Sequence, residues 1–85
     1  MSSSPLVSLM DAATGQRIRL ASIQVQGVLR RRLLDLGFVP GAVIEVLQAS
    51  PLGDPVAYRV NNTTIALRRE ERERIFGEIC KEDGE

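Results

Sequence analysis

Eighty-five residues, 44% apolar and 26% charged, suit one compact domain and leave no room for a second. Eleven basic side chains balance eleven acidic ones, which argues against a protein that coats nucleic acid or an anionic membrane surface. The absence of histidine removes Ser-His-Asp and Cys-His catalysis and the commonest transition-metal ligand, and no apolar run approaches the ~20 residues that span a bilayer.

Residues 1–8 read as a disordered N-terminus, with Ser2, Ser3 and Ser4 ahead of Pro5 and neither the basic start nor the long apolar stretch of a secretory signal. Leu9 and Met10 are placed to dock on the core, and Thr14-Gly15 forms a turn. From Arg17 the chain alternates: Ile18 and Leu20 point one way, Arg17 and Arg19 the other, the period-two pattern of a half-buried strand.

The spacing predicts a helix over residues 28–36. Leu29, Leu33 and Leu36 fall at i, i+4 and i+7, and Leu34 widens the stripe. Arg30, Arg31 and Arg32 cover the rest of the circumference, with Asp35 in reach of Arg31 or Arg32. Gly37 stops the helix, because a left-handed backbone there is free of strain for glycine. Phe38 then folds back toward Leu33, and Pro40 prevents the helix from resuming.

Pro40-Gly41 reads as a turn into the β-rich run Val43 to Leu47. Residues 50–55 form a loop with Pro51, Gly53 and Pro55 as its punctuation. Val56, Tyr58 and Val60 alternate in a further strand, and Thr63, Ile65 and Leu67 in another. Asn61-Asn62 between them tolerates the positive φ of a tight hairpin turn. The run Arg68 to Arg74 has helical propensity and a Glu70–Arg74 pair, but its apolar neighbours make no continuous helical stripe. A helix, or a helical turn followed by a last strand over residues 75–79, both fit, with Gly77 on the face of Ile75 and Ile79. Residues 81–85 read as a frayed charged tail. About five short strands and one short helix in this length suggest a small closed barrel, since an open sheet this small leaves edges unprotected.

Little chemistry remains. One cysteine, Cys80, closes no internal disulfide and fits a reducing cytoplasm. The seven glycines are spaced as turn punctuation, and none forms a phosphate-binding loop. A carboxylate-pair hydrolase needs a cleft hard to build at this size.

The run from Leu29 to Gly41, the loop from Ala49 to Pro55, and Ile65 to Glu71 occur in an order that closely resembles the FeoA family, small cytosolic proteins associated with bacterial ferrous iron transport. The resemblance spans about Leu9 to Ile79. It implies a mainly β, SH3-like barrel over residues 9–80, with one short helix between strands 1 and 2 and a short helical turn before the last strand. It implies no catalytic residues, no required cofactor, and one partner: the membrane ferrous transporter with its cytoplasmic G-protein domain. Three positions depart from the family: Asn62 replaces a turn glycine, Arg72 a common alanine, and Gly77 an apolar β-branched residue.

Leu29, Arg30, Arg31, Arg32 and Leu52 are the candidate partner-binding residues; Gly37, Pro40, Gly41, Gly53 and Asn62 shape the turns that present them. Leu29 would rim a groove between helix and barrel, and Leu52 sits at a loop tip. Ten arginines against one lysine suit an acidic partner, because guanidinium groups fork onto carboxylates. Set against this, the leucines serve the core, the arginines form a solvated helix face, and the charge run from Leu67 to Arg74 a solvated turn. Cys80 with Glu78, Glu82 and Asp83 makes a poor transition-metal site, and a divalent ion at surface carboxylates would be adventitious. The resulting expectation is a non-catalytic cytoplasmic adaptor, peripheral to the inner membrane through its partner, without membrane insertion or nucleic acid, and compatible with a weak homodimer. The alternatives are a nucleic-acid-binding small barrel and a weak divalent-metal-binding protein.

Overall fold

A computed structural model describes residues 6–80. The alternation around Arg17 folds as expected: β2 (Arg17–Ile23) buries Ile18 and Leu20 and exposes Arg17 and Arg19. It is preceded by a two-residue strand, β1 (Val7–Ser8), and a 3₁₀ turn over Leu9–Asp11 that buries Leu9. After α1 (Gly27–Asp35) come β3 (Val43–Ala49), β4 (Val56–Val60), β5 (Thr63–Leu67), α2 (Arg69–Arg72) and β6 (Ile75–Ile79). The six strands form one sheet in the order β1-β6-β2-β3-β4-β5, antiparallel throughout.

The stop of α1 is a Schellman motif. Phe38 N–H donates to the Leu33 carbonyl at 2.9 Å and Gly37 N–H to that of Leu34 at 3.1 Å, with Gly37 at φ +106°. This reversal drives Phe38 into the core, where its ring meets Tyr58 edge-on at a centroid distance of 6.4 Å. Pro40-Gly41 turns the chain against β2, Gly41 N–H donating to the Leu20 carbonyl at 2.7 Å. Asn61 and Asn62, at φ +50° and +62°, close the β4–β5 hairpin.

Four expectations need correction. The sheet has six strands rather than about five, because Val7 and Ser8 leave the supposed disordered start and pair with Gly77 and Phe76 of β6. Residues 1–5 of that start, and the tail over 81–85, lie outside the described residues. The hydrogen-bonded circuit does not close: among the described residues β5 has no strand on its outer side. The Glu70–Arg74 and Asp35–arginine pairs do not form; α2 ends at Arg72, so Arg74 never completes the helical turn that would set it over Glu70. Residues 69–79 resolve as one helical turn followed by a strand.

Gly77 has a steric reason to be glycine. It pairs with Val7 on one side and Leu20 on the other, and a Cβ there would collide with the Arg19 carbonyl oxygen and lie 2.7 Å from Ile18 Cγ2. The close approach of β2 to β6 at this point leaves space for hydrogen alone.

Candidate protein-interaction surface

A helix turns about 100° per residue, so three consecutive arginines on α1 cannot share one face. Arg30 turns back: its Nη1 donates to the Ile23 carbonyl at 2.9 Å, tying the helix to the end of β2. Arg31 stays exposed beside Leu34 and Asp35, and Arg32 turns toward β5. Leu29, half-buried, packs on the core beside the fully buried Leu33. The anticipated groove is there: a cleft of about 450 Å³ runs between α1 (Leu29, Arg32, Leu33) with its C-cap Leu36 and β5, with Glu71 at its border.

Leu52 lies elsewhere. It stands 93% exposed on the loop between β3 and β4 and borders a second cleft of about 290 Å³ with Met10, Asp54, Arg69 and Arg72. The loop is braced from within: Ser50 Oγ donates to the Asp54 carbonyl at 2.6 Å, and Gly53 N–H to that of Ser50 at 2.8 Å. Leu29 and Leu52 therefore belong to two clefts, with α2 contributing Glu71 to one and Arg69 and Arg72 to the other. The turn residues Gly37, Pro40, Gly41, Gly53 and Asn62 stand at the bends where they were placed, Gly53 at φ +86°.

Arg72 belongs to the charge run expected to form a solvated turn, and the structure corrects this. Its side chain is only 8% exposed, and Nη2 meets Asp54 Oδ1 at 2.8 Å. The Arg72 carbonyl accepts from Ser8 Oγ at 3.0 Å, so one residue fastens the N-terminal segment, α2 and the Leu52 loop. Arg72 Nε is buried without a hydrogen-bond partner. The same guanidinium faces Tyr58. Burial pushes the Tyr58 phenol up to about 12, and the charge of Arg72 and its hydrogen bond partly oppose that rise. The signal in the sequence was Arg72 itself, which the resemblance marked as a departure. Val28 is 83% exposed in the first turn of α1.

Cys80 is half-buried and its backbone N–H pairs with the Arg17 carbonyl at 2.8 Å. Among the described residues no cluster of three or more histidine, cysteine, aspartate or glutamate side chains is arranged to hold a metal ion, and no helix is long and apolar enough to cross a membrane.

A six-stranded antiparallel sheet around one core, with a short helix packed on it and clefts at the α1–β5 seam and at the Leu52 loop, is a small SH3-like domain. The FeoA domain model matches residues 7–79. Among solved structures, FeoA protein from Chlorobium tepidum superposes with a TM-score of 0.84 at 37% identity, covering 92% of this chain and 74% of that one. FeoA of Stenotrophomonas maltophilia, described as a prokaryotic SH3 domain protein and solved with zinc, gives 0.73 at 28% identity over 85% of this chain and 89% of that one. An Fe(2+) transport protein A/Fe(2+) transporter FeoB fusion protein from Porphyromonas gingivalis is 39% identical over 71 residues; these are 84% of this chain but only 8% of the fusion's length. The chain belongs to the FeoA family.

Proposed function

We propose that this protein is a non-catalytic accessory factor of bacterial ferrous iron uptake, which binds the membrane ferrous transporter from the cytoplasm and modulates its activity. The P. gingivalis fusion carries this reading. There a domain 39% identical to this chain is joined covalently to a ferrous transporter. A linker of that kind raises effective concentration, which favours a domain that works on the protein it is joined to. The contact on the transporter is its G-protein domain. The surface offered is the α1 side with Leu29, Arg31 and Arg32, extended by the Leu52 loop; Arg30, tied to Ile23, supports it from below. Modulation requires unequal affinity for the transporter's nucleotide states, since equal affinity shifts no equilibrium. The domain needs no cofactor for this role, and metal at its surface carboxylates is adventitious.

The test is retention of detergent-solubilised transporter from the same organism on immobilised protein, with and without a GTP analogue. Retention that depends on nucleotide supports the reading. No retention in any state overturns it, and retention indifferent to nucleotide overturns the modulation. The zinc bound to the S. maltophilia relative is the one observation favouring a metal-binding alternative. Titration calorimetry with Fe(II) and Zn(II) separates the two, because the adaptor reading needs no saturable binding of either ion.

A further inference from the structure

The edge of β5 is unusual for an exposed strand. Natural sheets blunt free edges with charge, proline, bulges or shortness. β1, at the other end of the sheet, is only two residues long. β5 is Thr-Thr-Ile-Ala-Leu over five residues, without charge, proline or a break in its register against β4. The two-residue Asn61-Asn62 turn makes Val60 and Thr63 a hydrogen-bonded pair, and the pattern alternates from there. Thr63, Ile65 and Leu67 therefore spend their backbone groups on β4, whereas the N–H and C=O of Thr64 and Ala66 point away from the sheet. No turn, loop or cap hydrogen bond among the described residues reaches Thr64 or Ala66.

What lies beside that edge is the cleft of about 450 Å³ whose far wall is Leu29 and Leu33 of α1 and Leu36 at its C-cap. This volume is within the range of clefts that hold small ligands or a few residues of chain. A strand entering it would find Thr64 and Ala66 ready to exchange hydrogen bonds. Its residue opposite Ile65 would point to the same face as Ile65, toward the leucines. Arg32 and Glu71 line the same cleft and offer opposite charges to the incoming segment.

We propose that β5 is a strand-addition site: an extended segment of the transporter's cytoplasmic part pairs with Thr64 and Ala66 as a seventh strand and sets one apolar side chain between Ile65 and the α1 leucines. This rests on the adaptor reading and specifies how the contact is made. Main-chain pairing supplies affinity in this mode, and the pocket for alternate side chains supplies specificity.

Proline at position 66 deletes the outward N–H without touching the β4 ladder, so Ala66→Pro is compatible with an edge strand. Ala66→Thr keeps the N–H and controls for the side chain. With solubilised transporter as the probe, Ala66→Pro is expected to lower retention at least about tenfold while Ala66→Thr retains it. Equal retention by a folded Ala66→Pro protein overturns strand addition and leaves the adaptor reading intact; no retention by the wild type overturns both. If Ala66→Pro does not fold, amide hydrogen exchange of the wild-type complex decides: slowed exchange at Thr64 and Ala66 supports the proposal and unchanged exchange overturns it. A dimer in sedimentation that Ala66→Pro abolishes, with transporter retention unaltered, would assign the edge to a second copy and overturn it as well.

Discussion

Arg72 Nη2 lies 2.8 Å from Asp54 Oδ1 across 18 positions of sequence, and the two partners are unequally placed: the arginine side chain is 8% exposed and the aspartate 43%. The asymmetry decides what each substitution does. Removing the carboxylate strands a buried guanidinium whose Nε already lacks a partner, whereas removing the guanidinium leaves a carboxylate that water can reach.

Asp54→Ala is therefore expected to destabilise by about 2–3 kcal/mol, and Arg72→Met, which keeps the aliphatic packing, by about 1 kcal/mol. Urea midpoints at neutral pH check the order. Arg72→Met costing more than Asp54→Ala would contradict it. Both changes should speed hydrogen exchange at the Gly53 amide, since the Leu52 loop loses its tether to α2.

Tyr58 is the only tyrosine and there is no tryptophan, so absorbance near 295 nm follows this phenol alone. Its ionisation is expected near 12 in the folded protein, against about 10 for an unfolded chain. Between those values the folded state holds a proton that the unfolded state has released, so stability is intact below pH 10 and falls as pH climbs toward 12. Arg72→Met should raise the midpoint further, because the arginine pulls it down. A spectrophotometric titration of both proteins tests the position and the direction.

Gly77→Ala is expected to destabilise by about 3 kcal/mol or more, since the added methyl meets the Arg19 backbone carbonyl and the β2–β6 ladder has to shift. The check is thermal or urea unfolding, with NMR amide shifts of β2 and β6 locating the disturbance. A change under about 0.5 kcal/mol would mean that β2 and β6 do not approach so closely.

Leu52→Ser and Leu29→Gln separate contact from folding. Leu52 is 93% exposed, so its replacement should change stability by less than about 0.5 kcal/mol while weakening transporter retention. Leu29 is half-buried against the core, and Leu29→Gln should cost about 1 kcal/mol in addition to its effect on binding. Unchanged retention in both folded variants would move the contact away from these clefts.

The parts legible in the sequence were those whose cause lies within a few residues. The alternation at Ile18 and Leu20, the asparagine pair in the hairpin and the Gly37 stop with Phe38 behind it each follow from side-chain period or from φ. The groove beside Leu29 was readable for the same reason, since a helical stripe must meet a sheet face somewhere. β1 was missed because two residues have no period to detect.

By itself the sequence determined the strands β2 to β5, the helix and its stop, the turns, and through Leu29–Gly41 and its companion blocks the family to which the chain belongs. Only the tertiary structure decided that Arg72 is buried rather than solvated, that Leu29 and Leu52 serve separate clefts, that Gly77 sits hard against the backbone of β2, and that β5 has no strand on its outer side among the described residues. The physical reason is range. A turn or a strand is set by sterics and hydration that act between neighbours, whereas the burial of a charge depends on whether a carboxylate 18 positions away arrives to neutralise it.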